Sequence, residues 1–130
     1  MTRGERNNNP GNIRHVPGVD WVGQAATQAD DAFVRFTDPI YGIRAITRIM
    51  KSYERQGIET VADVIDRWAP PNENNSEAYV TDVCNRCGVQ PDDRVDFVAI
   101  MPNLIKAIIH HENGENIYTD EQINQGIALA

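Results

Sequence analysis

The stretch Arg3-Gly4-Glu5-Arg6-Asn7-Asn8-Asn9-Pro10-Gly11-Asn12-Ile13-Arg14, followed by Trp21-Val22-Gly23-Gln24, decides how the chain begins. Four asparagines around a Pro-Gly pair build neither a helix interior nor a core strand, because Asn side chains bond the nearby backbone and Pro10 removes a donor. The segment reads as a shaped polar loop. Its bland reading is an Asn-rich turn leading into a buried Trp. Its functional reading is a sugar site, in which Asn supplies donors and an acceptor for hydroxyl edges and an indole supplies a flat face for the ring.

Residues 1 to 36 scatter Pro and Gly and hold one alternating run, Ala32-Phe33-Val34-Arg35-Phe36, that allows a strand; this opening is expected to be non-helical. Helices follow. Asp38-Pro39 is an N-cap with Pro at the first helical position, and Ile40, Ile43, Ile46, Ile49, Met50 and Tyr53 fall on one stripe until Gly57. Thr60 caps a second helix carrying Val61, Val64, Ile65 and Trp68, stopped by Ala69-Pro70-Pro71. After the polar loop Asn72-Glu73-Asn74-Asn75, Ser76 caps a third through Tyr79, Val80, Val83 and Cys87, with Gly88 as its C-terminal cap. Residues 94 to 111 read as one or two helices broken near Pro102, and Thr119-Asp120-Glu121 starts a last one.

A chain of 130 residues, 41% hydrophobic and 24% charged, makes a single compact domain over residues 1–130. Twelve basic against 19 acidic residues give a net charge of −7, which repels duplex nucleic acid and anionic membranes. Two local basic groups stand out: Arg3, Arg6 and Arg14 near the start, and Arg44, Arg48, Lys51 and Arg55 at the spacing of a solvated helix face. No signal-peptide run and no stretch of about twenty apolar residues occurs. Synthesis in the cytoplasm is expected, either as a soluble protein or as a piece cut from a longer one.

Cys84 and Cys87 are two ligands where structural zinc wants four, and a redox pair wants a βαβ setting that is missing, so no metal or other cofactor is expected. There is no Ser-centred elbow, phosphate-binding Gly loop or His-Glu-x-x-His. The chemistry candidates are carboxylates. Glu112 closes the apolar run Leu104 to His111, and a carboxyl at the rim of a core is the kind of group a glycosidase uses as general acid. Its plain reading is a solvated acid at a helix end. Glu73 sits in the Asn-rich loop as a second acid or a turn residue, and Glu5, between two arginines, has a surface ion pair as its simplest account.

The string Arg-Gly-x-Arg-Asn-Asn-Asn-Pro-Gly-Asn-Ile-Arg, the downstream Trp-x-Gly, Phe33 to Pro39 with Gly42-Ile43-Arg44-Ala45, and Arg67-Trp68-Ala69-Pro70-Pro71 with Glu73-Asn74 and Tyr79 resemble a family of small lysozyme-like proteins. These occur in bacteriophages as virion-associated or lysis proteins, and in bacteria as phage-derived or secreted antibacterial effectors. The resemblance implies attack on peptidoglycan glycan strands. A second similarity is to bacterial glucosaminidases and lytic transglycosylases, which run from a helix ending in the catalytic Glu through an Asn-containing loop and Trp-x-Gly to a Phe-rich segment. Here those last three parts come first, and the Glu-ending helix, Leu104 to Glu112, comes at the other end, as in a circular permutation.

These resemblances imply a mostly α (α+β), lysozyme-like domain cutting the β-1,4 linkage of peptidoglycan, as a muramidase, glucosaminidase or lytic transglycosylase. Glu112 would protonate the leaving oxygen, Glu73 would be the second acid ahead of Glu5, Asn9, Asn12 and Asn75 would bond the sugar, and Trp21, Trp68 and Tyr79 would pack on ring faces or shape the groove. With no second acid close by, substrate-assisted or transglycosylase chemistry is expected. The site of action would be the periplasm or cell wall, reached by virion, holin or secretion apparatus. The rival is a non-catalytic virion or wall-binding module with the same groove. On the enzyme reading the Asn9 to Asn12 loop and Glu112 must face one groove although about a hundred residues part them.

Overall fold

The computed structural model describes residues 1–72 and 75–130, and Glu73, the expected second acid, lies outside them. Six helices are found among the described residues: α1 (Arg3–Arg6), α2 (Pro39–Arg55), α3 (Val61–Trp68), α4 (Ser76–Cys87), α5 (Phe97–Asn113) and α6 (Asp120–Ala128). The protein is mostly α.

The caps explain most boundaries. Asp38 accepts from the Ile40 amide at the start of α2, Thr60 from Asp63 at the start of α3, and Thr119 forms a capping box with Gln122 at the start of α6. Helix α4 is capped by Asn75 rather than by Ser76, and Gly88 closes it in the left-handed conformation at φ 70°. The opening holds one helical turn that was not expected. Thr2 and Glu5 form a capping box around α1, with the Glu5 carboxylate accepting from the Thr2 amide at 2.7 Å.

Two further expectations are corrected. Ala32 to Phe36 is no strand: it makes isolated bridges, Arg14 to Phe33 and Gln24 to Phe36, because its polar partners are loops too short to sustain a ladder. Residues 97 to 113 form one unbroken helix with Pro102 inside it. A proline there costs about 3 kcal/mol, yet each large apolar side chain fully buried returns about 1.5–3 kcal/mol. Met101, Leu104, Ile105, Ile108 and Ile109 are all buried, so packing outweighs the missing bond.

Helix α5 is the centre of the molecule, packed by α1, α2, α4 and α6, while α3 lies on α4 and α6 also on α2. Ile43, Ile46 and Met50 of α2, Val61, Val64 and Ile65 of α3, Tyr79 and Val83 of α4 and Ile123 of α6 complete a single apolar core. This leaves the C-terminal end of α5 against the opening loop.

Candidate functional site

The opening loop is held by its own asparagines. Asn9 is wholly buried; its amide donates to the Ile13 carbonyl at 2.9 Å and the Val34 carbonyl at 2.8 Å, and its oxygen accepts from the Ile13 amide at 3.0 Å. Asn8 donates to the Phe36 carbonyl and Asn7 to Asp30, both at 3.0 Å. Asn8 and Asn12 sit in the left-handed region at φ 52° and 51°, which Asn tolerates better than most residues. Asp30 gathers the far side, accepting from Arg3 at 2.6 and 2.7 Å and from the Ala32 and Phe33 amides at 2.9 Å. Arg3 above all, then those two amides, hold its carboxyl well below the usual carboxylate range.

Between this loop and the ends of α3 and α5 lies a groove of about 490 Å³. Gly11, Asn12, Ile13 and Arg14 line it together with Val16, Val19, Trp21, Phe33, Ile49, Trp68, Ala69 and Glu112. Aromatic and aliphatic faces beside a few polar groups are what a ligand groove needs. Glu112 is the one carboxylate among the described lining residues.

Two donors hold Glu112. The Tyr79 hydroxyl donates to Oε2 at 3.0 Å, and the Asn12 amide reaches Oε1 at 3.3 Å. Trp68 Nε1 donates in turn to the Tyr79 oxygen at 3.0 Å, so one chain of hydrogen bonds ties α3, α4 and α5 together at the groove. Burial first, and the Glu112 charge second, push the Tyr79 phenol far above its ordinary value, so it remains a donor at any working pH. Its ring is stacked on His111, centroids 3.7 Å apart, and His111 Nδ1 lies 3.4 Å from an Asp82 oxygen.

Asn113, the next residue, fastens the two ends of the chain. Its amide donates to the Pro10 carbonyl at 2.8 Å and the Ile109 carbonyl at 2.9 Å, while its oxygen accepts from the Thr2 hydroxyl at 2.7 Å. Gly4 makes the approach possible. A Cβ there would stand 2.7 Å from Asn113 Oδ1, 2.8 Å from Asn12 Oδ1 and 2.9 Å from the Asn9 carbonyl.

The structure thus brings Glu112, Asn12, Trp21 and Trp68 into one groove, with Glu112 on the same side as the opening loop. Other expected site residues are placed differently. Asn9 has every polar atom of its amide occupied and no exposed surface, so it shapes the loop and is closed to a ligand. Tyr79 is fully buried and offers its hydroxyl to Glu112 rather than a ring face to a sugar. Asn75 caps α4 through the Ala78 amide and is not among the groove's lining residues. Glu5 makes no ion pair among the described residues: it is 5% exposed, caps α1, and its charge lies near enough to Tyr118 to help burial push that phenol up to about 12. The thiols of Cys84 and Cys87 are unpaired, and burial pushes Cys87 up to about 11, away from the reactive thiolate. Arg14 was not singled out from the sequence as a groove residue, nor Asn113 as the residue that fastens the opening loop to α5. An Asn directly after an acid at a helix end, and an Arg closing an Asn-rich loop, were the available signals.

No protein-family model matches the chain. A comparison with characterised sequences shows 39% identity over 127 residues to protein P5 of Pseudoalteromonas phage PM2, spanning 95% of this chain and 79% of that one. The chain belongs to the protein P5 family. A bacteriophage protein is therefore a relative over nearly the whole length, and the name P5 states no activity. Among the described residues of this P5-family chain, no helix is long and apolar enough to cross a membrane.

Proposed function

We propose that the protein is a lysozyme-like enzyme that cleaves the glycan strands of peptidoglycan, with Glu112 as the general acid. The observation carrying this reading is the position of Glu112: a fixed carboxylate on a groove it shares with Asn12, Trp21 and Trp68. A glycan lying there has indole faces for its apolar ring surfaces and the Asn12 amide for an acetamido or hydroxyl oxygen. Tyr79 holds Oε2, so Oε1, on the Asn12 side, is the oxygen that carries the proton to the glycosidic bond. As that bond breaks, the proton neutralises the leaving oxygen and positive charge develops at the ring carbon.

Glu112 is the one carboxylate among the described lining residues and Glu73 lies outside them, so two routes follow: the substrate's own acetamido oxygen or C6 hydroxyl as nucleophile, or Glu73 as the second acid. Glu73→Gln separates the two: a loss of about a hundredfold makes Glu73 the partner, and an effect within a few-fold supports the single-acid route. A phage relative fits delivery by a virion, which also answers how a chain of charge −7 reaches an anionic wall.

The decisive experiment is loss of turbidity of purified peptidoglycan, with the products identified. Glu112→Gln should keep the melting temperature and lower the rate by about a hundredfold or more, since an amide of the same size fills the space but gives no proton. Retention of more than about a tenth of the rate moves the acid elsewhere. A wild-type protein that binds sacculi without cutting them is a wall-binding virion module instead.

A further inference from the structure

We infer that Arg14 recognises a carboxylate on the substrate strand, making the groove selective for an acidic glycan over a neutral one; this rests on the proposed glycan cleavage. Two arginines stand on Phe33. Arg3 Cζ is 4.4 Å and Arg14 Cζ 5.1 Å from the ring centroid. Their partners differ. Arg3 is bound by Asp30 at 2.6 and 2.7 Å, with Asp31 at 3.7 Å, whereas Arg14 has no carboxylate within ion-pair distance among the described residues.

The backbone that carries Arg14 is nevertheless held in place. It bridges to Phe33, the neighbouring Val34 amide donates to Ile13 at 2.9 Å, and the His15 amide donates to Ala32 at 3.0 Å. Phe33 itself is fixed by the bond from its amide to Asp30 at 2.9 Å, and both Arg14 and Phe33 line the groove. A ring face attracts a guanidinium but accepts few of its five in-plane N–H donors. That planar fork matches a carboxylate, which takes two of its bonds side by side. In a chain this acidic, an arginine on the groove that pairs with none of the described carboxylates leaves its charge for what enters. Peptidoglycan supplies such a group on the peptide stems of its strand, or on the lactyl branch where no stem is attached, and an unsubstituted N-acetylglucosamine polymer does not.

The test crosses protein with substrate: wild type and Arg14→Gln, on native sacculi and on sacculi whose carboxyls are converted to amides. Losing one charged hydrogen-bonded contact should lower kcat/KM about tenfold, whichever partner is removed. Removing both should cost no more than removing one, because the two changes delete the same contact. Arg14→Lys keeps the charge without the fork and should fall between. Losses that multiply, or an Arg14→Gln rate within about twofold of wild type on native sacculi, overturn the inference. If wild type cuts neither substrate, the cleavage reading fails on its own. Cosedimentation of the same four pairs then reads the same coupling as binding, and equal binding of all four overturns the recognition.

Discussion

Tyr79 carries the most specific consequence at the scale of single residues, because its hydroxyl stands between two groove residues and belongs to neither. It accepts from Trp68 and donates to Glu112, both at 3.0 Å. Tyr79→Phe keeps the ring on His111 but strands an indole N–H and a carboxylate oxygen, at a cost of about 1–3 kcal/mol. If the protein cleaves glycan as proposed, the expected result is a melting temperature a few degrees lower and kcat down about tenfold with KM little changed, since Glu112 is mispositioned while the rest of the groove remains. A change in KM alone would make Tyr79 a packing residue only. Residue types were legible in the sequence and their duties were not. Asn9, Asn12 and Asn75 look alike as letters, yet one is sealed in the loop, one faces Glu112 and one caps a helix. Burial separates them, and burial depends on contacts many residues away in the chain.

Helices were read far more accurately than sites, because caps and stripes are local. Asp38-Pro39, Thr60, Gly88 and Thr119 mark the boundaries found. The exceptions are instructive: α1 is one turn made by a local capping box inside a loop, and α5 runs through Pro102 because its buried side chains outweigh the break. How α2 meets the opening loop is a question of packing that no periodicity shows. A Cβ on Gly42 would lie 2.2 Å from the Asn8 carbonyl oxygen and 2.8 Å from Pro10 Cδ. In a free helix Gly→Ala gains about 1 kcal/mol, but here the clash is with backbone and overpacking costs about 1–3 kcal/mol or more. Gly42→Ala should therefore destabilise, and it should lower the cleavage rate further than its melting temperature explains, by moving Asn12 from Glu112. A more stable variant with unchanged activity would show that the loop and helix are free to separate.

Across the whole molecule, the meeting of the two ends is what makes a groove at all. Thr2 and Asn113 are bonded at 2.7 Å, and α1 rests on α5, so residues near both termini build one wall. Sequence order hid this, and only the expectation of a permuted order, drawn from a resemblance to glycan-cleaving enzymes, pointed to it. Net charge acts at the same scale. A protein of charge −7 approaching a wall of peptide carboxylates meets repulsion before any groove contact forms. Salt shortens the reach of that repulsion, from about 30 Å at 0.01 M to about 8 Å at 0.15 M. The proposed Arg14 contact is a single short-range one and gives no long-range attraction to offset that repulsion. The initial rate on intact sacculi should accordingly rise as salt is raised over that range, while cutting of short uncharged chitin fragments stays flat. A rate on sacculi that falls with salt would mean that the few cations of the groove, and not the acidic surface, govern the encounter.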